Sequence, residues 1–161
     1  MHVPAQRGEA AGRHGLLVLA VIAVGGALGS VARYALSLWL PAHGGSGFPL
    51  GIFVVNLLGC AMIGVLMALV SEGGRDAQAN PLLRPFLGVG VLGGFTTFST
   101  YAADTVRLLE EGHEAALAAV AYLAGTPVGA LLAVWAAAAG TRALLGRRHR
   151  RQLRADGVSA L

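Results

Sequence analysis

The chain has 161 residues, 55% of them hydrophobic and only 12% charged, with a mean hydropathy of +0.66. That balance excludes an ordinary soluble domain, where charged residues make up about a quarter of the chain. The net charge of +4 does not point to nucleic acid either, because the arginines gather outside the apolar segments, as the positive-inside rule expects.

Residues 1–14 are small and polar and are expected to be disordered. Four apolar runs follow, Leu16–Leu40, Leu50–Val70, Pro85–Ala103 and Ala115–Ala139. Each approaches or exceeds the roughly 20 residues that cross a hydrocarbon core of about 30 Å. The chain is therefore expected to be an all-α integral membrane protein with four transmembrane helices over residues 15–141, followed by a basic tail over 142–161. The first run covers 25 positions through Arg33 and Trp39 without a small-residue cleavage site. A signal-peptide core is shorter, about 7–15 residues, so a retained helix is expected.

Pro41 should end the first span, and the Gly/Ser-rich stretch Ala42–Phe48 leads to the second. Glu72–Asn80 reads as a polar turn. Pro81 and Pro85 mark the start of the third span, where a missing N–H costs nothing. Glu110–Glu114 joins the third span to the fourth. Arg7 and Arg13 precede the first span, and Arg142, Arg147, Arg148, Arg150, Arg151 and Arg154 follow the last. With four spans these share a side with Arg75 and Arg84, leaving Arg107 alone among Glu110, Glu111 and Glu114 on the other. The termini are expected to be cytoplasmic, with the tail close to anionic lipid.

Small residues four apart, Gly25 with Gly29 and Gly125 with Gly129, fit close helix packing, although a helix this rich in Gly and Ala produces such spacing by chance as well. Four short, glycine-rich spans bury little by themselves, so self-association is expected. Cys60 is mid-span and reads as a small apolar residue.

Polar residues inside the spans are costly and face the bundle interior or a cavity. They are Ser30, Arg33 and Ser37 in the first span, Asn56 in the second, Thr96–Thr100 and then Asp104 in the third, and Tyr122 with Thr126 in the fourth. Gly93-Gly94 should loosen the third helix just before four hydroxyl residues, Thr96, Thr97, Ser99 and Thr100. Non-helical backbone at membrane depth is tolerated only where it is buried in protein or lines a water-filled path. The inventory has no carboxylate near the bilayer centre for a proton relay or cationic substrate, no metal-ligand spacing and no catalytic set. It consists almost wholly of neutral donors, which suit an anion and hold it weakly enough to release it. Phe98 and Tyr101, three apart, share a helix face. They read equally as core aromatics or as rings offering their positive edges to an anion. Arg33 reads either as an anion anchor or as a side chain that snorkels or pairs structurally.

These residues resemble the Fluc/CrcB fluoride channels of bacteria across nearly all of residues 20–140. The matching pieces are Gly25-Gly26-Ala27-Leu28-Gly29 with Arg33-Tyr34, then Val55-Asn56-Leu57-Leu58-Gly59, then Gly90 through Tyr101, and finally Tyr122 with Thr126. The resemblance implies a passive fluoride channel of the bacterial plasma membrane, not an enzyme. It implies a third helix broken near Gly93–Thr97 and an antiparallel, dual-topology dimer with two pores at its interface. Asn56 would be the pore amide and Phe98 the edge-on ring, with Ser99, Thr100, Tyr122 and Thr126 as a hydroxyl track and Arg33 near the cytoplasmic vestibule. Backbone carbonyls of Gly93 and Thr97 would hold a structural sodium ion shared by both subunits. Tyr101 stands where the family has a second phenylalanine, Ile52 replaces a threonine, Thr126 a serine and Asp104 a glutamate. The strong arginine bias is at odds with a chain that inserts both ways, so an antiparallel homodimer is expected, with a heterodimer formed with a paralogue as the alternative. Further alternatives are a subunit that conducts poorly or not at all, and a small multidrug-type four-helix transporter.

Overall fold

The structure, a computed structural model, describes residues 12–40, 47–72 and 81–159. Expectations for residues 1–11, for most of the Ala42–Phe48 loop including His43, and for the turn containing Arg75 lie outside the described residues. Helix α1 spans Arg13–Trp39 and α2 spans Leu50–Glu72. The third span has two parts. Its first part, α3, is wound as a wide π-helix over Pro85–Leu92 and closes with an α-turn at Gly93–Phe95, and its second part, α4, is Ser99–Glu110. Helix α5 runs over His113–Ser159 and so continues past the fourth apolar run into the basic segment. Among the described residues, four stretches are long and apolar enough to cross a membrane.

The helix limits have local causes. The residue before a proline is pushed out of the helical region, and Leu40, which precedes Pro41, ends α1 with an extended backbone at φ −94°, ψ 135°. Pro85 sits at the first positions of α3. Gly112 follows the end of α4 with φ +94°. That left-handed conformation is open to glycine at no steric cost and reverses the chain into α5.

The helices pack chiefly as two pairs, α1 on α3 and α2 on α5, with α4 lying against α5. The first pair is backbone on backbone. A Cβ built on Gly25 would sit 2.7 Å from the Phe86 carbonyl oxygen and 3.0 Å from the Gly90 Cα. A Cβ on Gly29 would run into the Val91 carbonyl, and one on Gly94 into the Gly26 carbonyl. In the second pair the close approach falls at Gly64, against the Val134 carbonyl. Of the second glycine pair, a Cβ on Gly129 would lie 3.3 Å from the Leu57 side chain, while one on Gly125 would meet open space. Small residues are the means by which spans approach this closely where lipid offers no hydrophobic driving force.

Little of the apolar surface is covered. Only 11% of the apolar stretch in α1 and 28% of that in α2 is buried, while Trp39 is 87% and Leu117 81% exposed. Faces of this kind belong in lipid or against another protein surface. The compact core lies at one end of the bundle, where Tyr101, Leu108, Ala119 and Tyr122 meet. Phe48 sits edge-on to Tyr122 there, with ring centroids 5.3 Å apart.

The α1–α3 contact leads to a direct test. Gly29→Ala forces a methyl into the Val91 carbonyl, and overpacking of this sort typically costs about 1–3 kcal/mol. Gly26→Ala meets nothing within 4 Å. Thermal unfolding in detergent should drop clearly for Gly29→Ala and stay near the parent value for Gly26→Ala.

Candidate functional site

The break in the third span falls at Thr96–Phe98, at the far end of the stretch where the glycines were expected to loosen the helix. Gly93 and Gly94 themselves remain helical, because Gly94 is held against Gly26 of α1. At Thr96 the backbone turns extended, with φ −77° and ψ 156°. Its hydroxyl donates back to the Leu92 carbonyl at 3.0 Å, a local bond that competes with continued helix.

Asn56 on α2 receives the opened chain. Its Oδ1 accepts the Thr97 N–H at 2.9 Å and its Nδ2 donates to the Thr97 carbonyl at 3.0 Å. Both residues are buried, Asn56 being 8% and Thr97 9% exposed. A primary amide is suited to this because it carries an acceptor and two donors on one planar group. Gly59, one turn along the same face, supplies the space: a Cβ there would collide with the Thr96 side chain and lie 3.2 Å from the Phe95 ring. Thr97 also acts through its side chain. Its Oγ1 accepts the Thr100 N–H at 3.2 Å, a side-chain bond into the first turn of α4, and lies 3.3 Å from the Ser99 and 3.1 Å from the Thr100 hydroxyl oxygen.

A groove of about 370 Å³ opens beside the break, lined by Asn56, Cys60, Thr96, Thr97, Phe98, Tyr101, Thr126, Pro127 and Ala130. Phe98 is 79% exposed at its rim, with its ring centroid 5.6 Å from that of Tyr101 and tilted by 48°. Thr126 is 5% exposed, and its Oγ1 has no hydrogen-bond partner among the described residues. An orphaned hydroxyl at membrane depth calls for a ligand or water, since leaving it bare is costly.

Two polarities meet at this break. The N-terminus of α4 adjoins the groove through Thr97 and Phe98, and its unpaired N–H groups and dipole favour an anion. On the other side, the Thr97 N–H that would bond the Gly93 carbonyl in a continuous helix goes to Asn56 instead. Likewise the Thr100 N–H goes to the Thr97 hydroxyl rather than to the Thr96 carbonyl. Released carbonyls are the groups that attract a cation at a discontinuous membrane helix.

Asn56, Phe98, Tyr101 and Thr126 thus converge on one groove. Ser99 and Thr100 stand behind it, tied to the Thr97 hydroxyl. Tyr122 is fully buried between Tyr101, at 5.2 Å between ring centroids, and Phe48, with Asp104 near its hydroxyl. The Tyr101 hydroxyl is committed elsewhere and donates to the Leu123 carbonyl at 2.7 Å. Arg33 is half-buried on α1 outside the groove lining, and its Nε has no partner among the described residues. Gly93 is exposed. Cys60 is only half-buried and forms part of the groove wall.

Sequence reasoning missed three features. The side chain of Thr97 is the hub of the hydroxyl set, Pro127 contributes to the wall, and Gly59 makes room for the break. The position of Pro127 inside the fourth apolar run, one residue from Thr126, was the signal for the second. The third could be read from Gly59 lying three residues after Asn56.

A four-span membrane protein whose third span opens beside a polar groove, with a helix N-terminus and released carbonyls at the opening, is built to accommodate small ions. The chain belongs to the CrcB family. The family model described as CrcB-like protein, Camphor Resistance (CrcB), matches residues 20–138. Among its relatives, the Fluoride-specific ion channel FluC 1 of Streptomyces coelicolor is 52% identical over 132 residues, covering 82% of each chain. The Fluoride-specific ion channel FluC 2 of Thermobifida fusca is 51% identical over 138 residues, 84% of this chain and 96% of its own. The Fluoride-specific ion channel FluC of Chloroflexus aurantiacus is 43% identical over 113 residues, 70% of this chain and 86% of its own.

The Asn56–Thr97 pairing predicts a graded loss. Asn56→Ala strands both the N–H and the carbonyl of Thr97, each at about 1–3 kcal/mol. Asn56→Asp keeps the acceptor and loses the donor. Detergent unfolding should rank parent, Asp and Ala in descending stability.

Proposed function

We propose that the chain is a fluoride-specific channel that lets the anion leave a bacterial cell passively across the plasma membrane. The observation that carries this reading is the convergence of Asn56, Phe98, Tyr101 and Thr126 on one groove at the helix break. Fluoride sheds water on entering a narrow path, and the groove offers replacements of moderate strength. They are the Thr126 hydroxyl, the second Nδ2 hydrogen of Asn56, the positive rims of the Phe98 and Tyr101 rings, and the α4 N-terminus. None is a full charge, so the ion is held weakly enough to move on. Ser99, Thr100 and Tyr122 lie outside the groove wall of the single chain and would continue the hydroxyl track in the assembled pore, and Arg33 raises the anion concentration toward one mouth. No bond is made or broken.

The working unit is an antiparallel dimer. The exposure of Phe98 supports this, because a second copy would close the groove over a ring that one chain leaves open. The first choice is a homodimer. The arginine bias, with Arg107 offset by Glu111 at 3.8 Å, favours cytoplasmic termini for this chain and makes an oppositely inserted paralogue the alternative partner. A structural sodium ion fits the released backbone. Gly93 offers a carbonyl freed of its helical donor, and Thr97 offers a carbonyl with one lone pair beyond its bond to Asn56. The Thr96 carbonyl is freed in the same way and joins them as a candidate ligand. Bound there, sodium would lend positive charge to the broken span.

Purified protein in liposomes loaded with potassium fluoride, with valinomycin added, should show rapid fluoride efflux at a fluoride electrode and no chloride efflux. Thr126→Val and Phe98→Ala should each slow it by about tenfold, the scale of one lost hydrogen bond to an ion. Silence from well-folded protein alone, with efflux restored by the paralogue, would establish the heterodimer. Silence with both would sink the channel reading.

A further inference from the structure

Pro127 lies inside α5. It has no N–H, so the carbonyl of Leu123, four residues earlier, lacks its helical donor. In a bilayer such a group finds no water and must be satisfied by a neighbouring segment. The Tyr101 hydroxyl of α4 does this, donating to the Leu123 oxygen at 2.7 Å. Tyr101 is 9% exposed, and both Tyr101 and Pro127 stand in the groove wall beside Phe98 and Thr126.

We infer that Tyr101 is a positioning residue matched to Pro127. Its hydroxyl braces α4 against the proline gap in α5 and so sets the angle of its own ring and of Phe98. A hydroxyl has one proton, and this one is spent on Leu123. The Tyr101 side chain therefore presents to the groove only what a phenylalanine would, an aromatic ring, while its oxygen serves the helix pair. The neighbouring Phe98 ring, 5.6 Å away, is steadied through that contact. The consequence for conduction rests on the channel reading, whereas the brace itself does not.

The test is a four-member cycle of parent, Tyr101→Phe, Pro127→Ala and the double variant, read by detergent unfolding and by fluoride efflux per folded protein. Tyr101→Phe should lower the unfolding midpoint by several degrees and slow efflux about tenfold, as expected for one lost bond. The double variant should recover both, because a backbone N–H at position 127 then satisfies Leu123, and that amide should resist hydrogen exchange. Should the single Tyr101→Phe chain fail to fold, recovery of folded protein on adding Pro127→Ala is itself the expected rescue. A double variant no better than Tyr101→Phe, or a Tyr101→Phe chain equal to the parent, overturns the brace. If the parent does not conduct but the unfolding cycle is coupled, the brace stands and the channel reading falls. If the parent conducts and the cycle is additive, the brace falls alone.

Discussion

A single side-chain amide keeps the third span open. A break in a transmembrane helix strands peptide groups in a medium that cannot hydrate them. Asn56 supplies one residue, Thr97, with an acceptor for its N–H and a donor for its carbonyl. The rest of the site depends on that pairing. It turns Thr97 so that its hydroxyl bonds the first turn of α4, diverts N–H groups away from the Gly93 and Thr96 carbonyls, and leaves Phe98 at the groove rim. With these two bonds gone, the N–H and the carbonyl of Thr97 would be left without partners at the break.

Glycine packing defines where the break starts. Backbone contact between α1 and α3 extends from Gly25 on Gly90 to Gly26 on Gly94, and α3 stays helical as far as Phe95. Past that contact the chain is handed to α2, where Gly59 makes room and Asn56 binds. The wide π-helical winding of Pro85–Leu92 belongs to the same glycine-rich segment, and such windings concentrate at functional sites. The paired helices thus form a rigid frame around a short irregular segment, while most of the outer apolar surface is left for lipid or a second chain.

The bundle was legible in the sequence because it rests on composition. Runs of about 20 apolar residues admit one folded form in a bilayer, and the four observed spans fall where those runs lie. The polar inventory was legible for the same reason: a hydroxyl or amide at membrane depth must face something. Asn56, Phe98, Tyr101 and Thr126 do meet at one groove. Less legible was what each group is used for. Gly93-Gly94 suggested a loosened helix, yet both stay helical and Gly94 is packed against Gly26 of α1. Tyr101 reads in the sequence through its ring, yet its hydroxyl answers the Leu123 carbonyl that Pro127 leaves without a helical donor. Thr97 counts among the hydroxyls but takes a site role in the sequence only through its backbone carbonyl, yet its side chain ties Ser99 and Thr100 to the start of α4.

Composition and hydropathy alone mark a four-span helical membrane protein whose in-span polar residues are few and almost all neutral, with the densest group in the third span. Those properties follow from transfer free energies, which act residue by residue and need no knowledge of neighbours. Only the tertiary structure decided which donors are already spent and which remain open. Hydrogen-bond capacity is divided among residues far apart in the chain: Asn56 with Thr97 across 41 positions, and Tyr101 with Leu123 across 22. Thr126 remains unpartnered because, in this packing, no other described group reaches it.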